Sequence, residues 1–257
     1  MIPKDIYICH KNLDDIEQYS NKWKLLNPDM NIHLYDDNLC IQFLLENFPP
    51  IYANIFNFIK DGPIKSDFWR LCILYINGGC YVDADIEPFV PLSRYITFDE
   101  YFVTCLSCFN NSYNPHFIMC EKHNKIIGKC IDQYIHFYLS RKIYSYNNWS
   151  IVHIFNNILK FKINNNISGE YIINGKKLKF LKEEQINTNG RQYCNYKGHI
   201  VLSNRYENYK NHRFMTDEEI KQLENIRRYK SLPNRLSMDD IKNLSNINKN
   251  ISFRMIK

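Results

Sequence analysis

Four residues in this chain have the types and spacing to do chemistry together: Asp67, Arg70, Asp83 and Asp85. Asp83-Ala84-Asp85 follows the apolar run Cys80-Tyr81-Val82, which reads as a buried strand. If the chain stays extended there, alternate side chains point the same way and both carboxylates reach one divalent cation. Hard oxygen donors of this kind suit Mg2+ or Mn2+, which keep waters and bind diphosphate oxygens. Such an ion neutralises charge developing on a departing diphosphate. Asp67 and Arg70 stand three apart in Ser66-Asp67-Phe68-Trp69-Arg70, so on a helix they share a face. An acid and a guanidinium on one face can hold a polyhydroxyl ligand and a phosphate together. Each piece alone is ordinary, a surface turn or a helix salt bridge. Their succession within residues 66–85 is the informative feature.

The elements that must position these groups form an α/β pattern. Residues 5–10 read as a short buried strand, 14–26 as a helix ended by Asn27-Pro28-Asp29, and 31–35 as a second strand before the turn signal Asp36-Asp37. This strand–helix–strand opening is that of an α/β nucleotide-binding unit. Residues 38–60 read as one helix, broken by Asp61-Gly62-Pro63. A new helix is expected with Ser66 as N-cap, running to Leu74 or Tyr75 and stopped by Asn77-Gly78-Gly79. Further strands are expected at 101–105 and 117–120, helices at 125–138 and 150–159, and a hairpin over 170–180 around Asn174-Gly175. The division is a domain over residues 1–215 and a charged helical appendage over 216–257.

Composition bounds the partners. A 45% hydrophobic content over 257 residues supports a sizeable core and excludes global disorder. The formal charge of +6 suits an anionic small ligand such as a nucleotide diphosphate. Basic residues are scattered among acids, so no nucleic-acid partner is expected. The basic stretches at 176–179 and 227–230 read as solvated faces, the tail offering at most a weak attraction to an acidic membrane surface. Nine cysteines, most inside apolar runs, behave as buried thiols of a reducing compartment. No run approaches a membrane span, and the first residues enter a strand at once, so a soluble, cytoplasmic protein is expected. Cys105-x-x-Cys108 with His116, Cys120 and His123 could be drawn as a zinc site, but Phe102, Thr104 and Leu106 alternate as in a strand with incidental cysteines. Trp69 is expected to pack on the sheet, and Trp149, bordered by polar residues, to flank an acceptor.

The run from Ser66 to Asp85, S-D-x-x-R followed by L-Y-x-x-G-G-x-Y-x-D-x-D, resembles glycosyltransferase family 32, the DXD-containing sugar-transfer family. That family includes yeast Golgi mannosyltransferases and the core of the clostridial glucosylating toxins. The resemblance is specific over residues 64–89, weaker at Ile2-Pro3-Lys4-Asp5-Ile6 and loose over 109–124. It implies a GT-A fold, a Rossmann-like α/β/α sandwich with a metal at a strand end. It further implies sugar transfer from a UDP- or GDP-sugar, with Mn2+ or Mg2+, to a glycan, lipid or protein hydroxyl, with retention of anomeric configuration. Asp67 and Arg70 would hold the donor sugar, Asp83 the ribose and sugar, and Asp85 the metal. Tyr7 and Ile8 would approach the base by their backbone. His10 stands where the family carries a stacking Trp, and the family's C-terminal H…S-W is missing, leaving His212, or else His199, to complete the metal site. The alternative implied by those departures is a non-catalytic module that binds a nucleotide-sugar.

Overall fold

The computed structural model describes residues 1–108, 112–159, 167–185 and 192–204. Strands β1 (Asp5–Cys9) and β2 (Asn31–Tyr35) flank helix α1 (Asp14–Leu26) and pair in parallel, as expected. The expected single helix over 38–60 is two, α2 (Asp37–Asn47) and α3 (Ile51–Phe58). Pro49 and Pro50 lack the amides a continuous helix needs, and Pro50 instead caps α3. The α2 start is held by the Asp36 carboxylate, which accepts from the Leu39 amide at 2.8 Å.

Helix α4 (Gly62–Asn77) begins four residues before the expected Ser66 cap. Asp61-Gly62-Pro63 therefore opens this helix instead of breaking the chain ahead of it, because Pro in the first turn loses no hydrogen bond. Ser66 lies inside the helix, and its hydroxyl is free for tertiary work. At the other end Gly78 and Gly79 have φ of 65° and 91°. A Cβ on Gly79 would stand 2.7 Å from the Asp5 carbonyl oxygen, so only glycine lets the chain turn this tightly into the next strand.

That strand, β3 (Gly79–Val82), pairs in parallel with β1 and antiparallel with β6 (Tyr113–Cys120). The remaining strands are β4 (Ile86–Pro88), β5 (Phe102–Leu106), β7 (Gly169–Ile173), β8 (Lys176–Gln185), β9 (Gln192–Tyr196) and β10 (His199–Asn204). Helices α5 (Lys125–Leu139), α6 (Tyr146–Trp149) and α7 (Ile151–Ile158) complete the described elements, with a short 3-10 turn at Leu92–Arg94. Asn174 and Gly175, at φ of 51° and 72°, close the β7–β8 hairpin where the sequence placed it.

Among the described residues the strands form one mixed sheet, in the order β2-β1-β3-β6-β5-β8-β9-β10-β4, with β7 on the side of β8. β4 sits at the far end of this order, yet in sequence only Asp83, Ala84 and Asp85 separate it from central β3. The sheet must therefore curl until its far end, β4, comes back to the end of β3 at that turn. The α/β class expected from the sequence is thus present.

Two apolar cores follow. One packs α2 to α5 and α7 on the outer face, centred on α4 residues such as Phe68, Trp69 and Leu71. The other fills the curl and the underside of α1 with Trp23, Cys80, Val82, Phe117 and Leu202. Trp69 packs as expected, against Tyr35, Phe43 and Tyr81. Trp149 does not flank an acceptor. It is fully buried among Phe58, Tyr134, Phe137 and Tyr144, because its polar neighbours cap helices while its ring turns inward. The stretch at 176–179 is solvated at Lys176 but not throughout: Lys179 is buried and paired with Glu100 at 2.5 Å and Glu170 at 3.0 Å, and half-buried Lys177 meets Asp99 at 3.0 Å. The appendage over 216–257, its boundary at 215, the stretch 227–230 and His212 lie outside the described residues.

Candidate active site

The four residues singled out in the sequence fall on α4 and the end of β3, and Arg70 joins two of the others, Asp67 and Asp83. One turn of α4 separates Asp67 from Arg70, and the Arg70 Nη2 lies 3.0 Å from Asp67 Oδ1. The same nitrogen lies 2.9 Å from Asp83 Oδ1, at the C-terminal end of β3. Asp67 and Arg70 are buried, whereas the Asp83 side chain keeps 30% of its surface. A cation between two carboxylates thus lies at the boundary between core and solvent.

The surrounding groups fix that geometry. Arg70 Nη1 donates to the Pro115 carbonyl at 2.7 Å, Nη2 to Ser66 Oγ at 3.2 Å, and the guanidinium stacks 4.4 Å above the Tyr81 ring. Tyr81 donates its hydroxyl to Asp83 Oδ1 at 2.9 Å and meets Ser66 Oγ at 2.7 Å and Cys9 Sγ at 3.5 Å. Asp67 Oδ2 accepts from the Ile151 amide at 3.1 Å, at the N-terminus of α7, whose own cap is Ser150. Asp83 donates its amide to the His116 carbonyl at 2.9 Å.

Electrostatics follow from burial. Desolvation raises the Asp67 carboxyl to about 6, against the lowering pull of Arg70 and of the Ile151 amide. Desolvation works against the Arg70 charge as well, but Asp83, Tyr81 and Asp67 beside it raise its pKa above the ordinary guanidinium value. Burial first of all raises the Tyr81 phenol well above its usual range, so Tyr81 remains a neutral donor to Asp83.

The Asp83-Ala84-Asp85 segment is not extended. The Ile86 amide donates to the Asp83 carbonyl at 3.0 Å, which closes a tight turn between β3 and β4. Alternation along a strand is therefore not what relates the two carboxylates; the turn is. Trp23 of α1 donates Nε1 to the Ile86 carbonyl at 3.1 Å, and β10 pairs with β4, so the chain leaving the turn is held from two sides. The donors suit a hard divalent cation: Asp83 Oδ1 meets Arg70 and Tyr81, and Asp85 is the second carboxylate of the same turn.

Tyr7 and Ile8 are buried within β1, the Tyr7 ring stacked 5.0 Å from His33 and both backbones in the ladder with β2. His10 follows the end of β1, its amide donating to Tyr35 at 2.9 Å. The parallel β1–β3 register aligns Tyr7 with Tyr81, so β1 ends at Cys9 and β3 at Val82 on the same edge of the sheet, where Cys9 Sγ lies 3.5 Å from the Tyr81 hydroxyl. His199 is elsewhere, exposed at the start of β10 and stacked 5.7 Å from Tyr95. Sequence reasoning missed Cys9, the Ile151 amide and the Pro115 and His116 carbonyls. Only Tyr81 carried a signal, through its place in the motif.

Residues 14–102 match the family model described as the glycosyltransferase sugar-binding region containing DXD motif. That region, about a third of the chain, is thus similar to the DXD-containing sugar-binding region of glycosyltransferases. Among curated relatives, the initiation-specific alpha-1,6-mannosyltransferase of Candida albicans is 29% identical over 86 residues, 32% of this chain and 22% of the relative. An uncharacterised glycosyltransferase of Acanthamoeba polyphaga mimivirus is 31% identical over 72 residues, 28% of this chain and 29% of the relative. The match thus spans under a third of either relative. Of solved structures, the PaToxG glycosyltransferase aligns with a TM-score of 0.48 at 16% identity, covering 63% of this chain and 70% of that one. The apo glycosyltransferase GlyE of Streptococcus pneumoniae aligns at 0.35 with 11% identity, covering 90% of this chain and 66% of that one.

Proposed function

We propose that this chain transfers a sugar from a UDP- or GDP-sugar to a hydroxyl of a glycan, lipid or protein acceptor, with retention, through a GT-A site. The observation that carries the reading is the Arg70 bridge between Asp67 and Asp83 at the edge where β1 and β3 end. At such an edge the backbone leaves the sheet and ligands reach it from outside, as in other open α/β sheets. In this reading Asp67 accepts from donor-sugar hydroxyls, and Asp83 from sugar and ribose hydroxyls. Arg70 keeps both acids oriented and offers positive charge to the diphosphate. His10, next after the end of β1, faces the base.

Asp85 with Asp83 would hold Mn2+ or Mg2+, which supplies charge neutralisation for the leaving nucleotide diphosphate. β10 supports a role for the following segment in that site. Its Asn204 pairs with Ile86, one residue beyond Asp85, and His212, eight residues further along the sequence, is the residue we assign as a further ligand. We assign the protein to the cytoplasm on its cysteine usage, most of the nine lying buried within apolar elements; among the described residues no helix is long and apolar enough to cross a membrane.

The test is Asp85→Ala, with turnover of UDP- and GDP-sugars measured with and without Mn2+. Metal-dependent turnover is expected to vanish while the melting temperature stays at the parent value; full activity in the variant refutes the assignment. Calorimetry of the parent with UDP and GDP separates transferase from binding module. Mn2+-dependent binding followed by sugar release identifies the enzyme, and binding without turnover identifies the module.

A further inference from the structure

Inside the curl, on the side of β6 away from the helices, three buried side chains from three strands converge: Cys105 of β5, His116 of β6 and Cys194 of β9. Their ligating atoms lie within 4.8 Å of one another, with His116 Nε2 at 3.1 Å from Cys194 Sγ. The sequence pattern around Cys105 suggested a different set. Cys108 instead donates to Glu183 at 3.5 Å, Cys120 to the Leu74 carbonyl at 3.9 Å, and His123 packs on Tyr75. We propose that Cys105, His116 and Cys194 bind one zinc ion, which ties the β8–β10 part of the sheet to its centre and braces the Asp83 turn.

The donor chemistry selects the metal class. Two thiolates and one imidazole are soft and borderline ligands, the set that takes Zn2+ and not the hard cations of the carboxylate turn. Two thiolates also neutralise the ion's double charge, so the loaded centre is neutral within an apolar core. Zinc bonds of about 2.3 Å to sulfur and about 2.0 Å to nitrogen separate tetrahedral ligand atoms by about 3.5–3.8 Å, close to the spacing present. The His116–Cys194 contact needs to open by about half an ångström.

The fold supplies the supports such a centre needs. Glu183 is the ladder partner of Cys194, and its oxygens are already engaged by Ser107, Cys108 and Asn114. It is therefore an outer carboxylate beside the trio, not a fourth ligand. The β5–β6 register also breaks at Cys105, where the pairing jumps from Thr104–Ile118 to Cys105–Asn114. This bulge accommodates Pro115, which has no amide for a ladder, and re-aims His116. The His116 side chain then faces the trio while its carbonyl holds the Asp83 amide and the Pro115 carbonyl holds Arg70.

The test uses the whole chain purified without chelators. Bound zinc is counted by plasma mass spectrometry, and cobalt substitution is followed by its thiolate charge-transfer absorption. One zinc per chain is expected, with the cobalt thiolate band in the parent and unchanged in Asp85→Asn. Cys105→Ser and Cys194→Ser should lose both zinc and band. No zinc and no cobalt thiolate band in the folded parent overturns the proposal, as does a band that survives both cysteine variants or a Cys105–Cys194 disulfide found by peptide mapping. Since the parent and Asp85→Asn give direct readouts, failure of a cysteine variant to fold leaves the proposal decidable. Loss of sugar transfer with zinc retained would count against the transferase reading and not against this one.

Discussion

Asp67 gives the sharpest test of how the site is built. Its carboxyl is buried, and its folded value of about 6 stands above the ordinary 3.8. A raised value means that the folded protein binds the proton more tightly than the unfolded chain does. The group's contribution to stability is therefore fully present below pH 3.8 and is lost as pH rises through about 6. The whole loss is about 3 kcal/mol, of which about 2 kcal/mol falls between pH 4.5 and 7.5. Asp67→Asn removes the titration and keeps the shape, including an oxygen to accept from Ile151. The assay is urea unfolding of parent and variant at a series of pH values, taking the difference in stability so that the other carboxylates cancel. The variant should gain on the parent by about 2 kcal/mol from pH 4.5 to 7.5. A difference that stays flat, or that grows toward acid, refutes the argument. It would mean that Arg70 and the Ile151 amide offset or outweigh burial and that Asp67 is an ordinary ionised salt-bridge partner.

Three further outcomes follow from the same geometry. Arg70→Lys keeps the charge but cannot reach Asp67, Asp83 and the Pro115 carbonyl together. The loss of two charged hydrogen bonds at about 1.5–3 kcal/mol each should lower kcat/KM for a nucleotide-sugar by at least ~10²-fold, read by steady-state kinetics. Gly79→Ala forces a Cβ against the Asp5 carbonyl at positive φ and should cost at least about 2 kcal/mol, seen as a Tm lower by roughly 5 °C. Trp149→Phe should cost under about 2 kcal/mol, because the indole Nε1 has no hydrogen-bond partner among the described residues. The acceptor KM should not change in that variant; a raised KM would restore Trp149 to the acceptor site.

The sequence made the core of the site legible because its parts are contiguous. An i,i+3 pair on a helix, a double glycine and a strand ending in two acids are local relations, set by 3.6-residue and two-residue periods. The same local logic located β1, α1, β2, α5 and the Asn174-Gly175 hairpin. It failed where a local signal has two meanings. Asp61-Gly62-Pro63 reads as a break or as a first turn, and only the continuing helix decides, which moved Ser66 from cap to interior. Trp149 among polar neighbours reads as exposed until Ser145 and Ser150 are seen to be helix caps that turn the ring inward. Lys179 reads as solvated until Glu100 is brought to it across the sheet.

The supports of the site were illegible for a different reason: they depend on closure of the sheet. Nothing near Asp83 in sequence announces that residues 115 and 116 supply carbonyls to Arg70 and to Asp83 itself. The Pro115 carbonyl lies where a bulge interrupts the β5–β6 ladder, whereas the His116 carbonyl carries the β3–β6 ladder one residue past the Val82–Phe117 pair. Closure also explains why the turn carries the acids. Asp83 to Asp85 is the one short link between the centre of the sheet and its far edge, so its backbone is held by β6 at one end and by Trp23 and β10 at the other. Carboxylates on a link clamped at both ends keep their places when charge is brought to them, which is the preorganisation a site for a departing diphosphate requires.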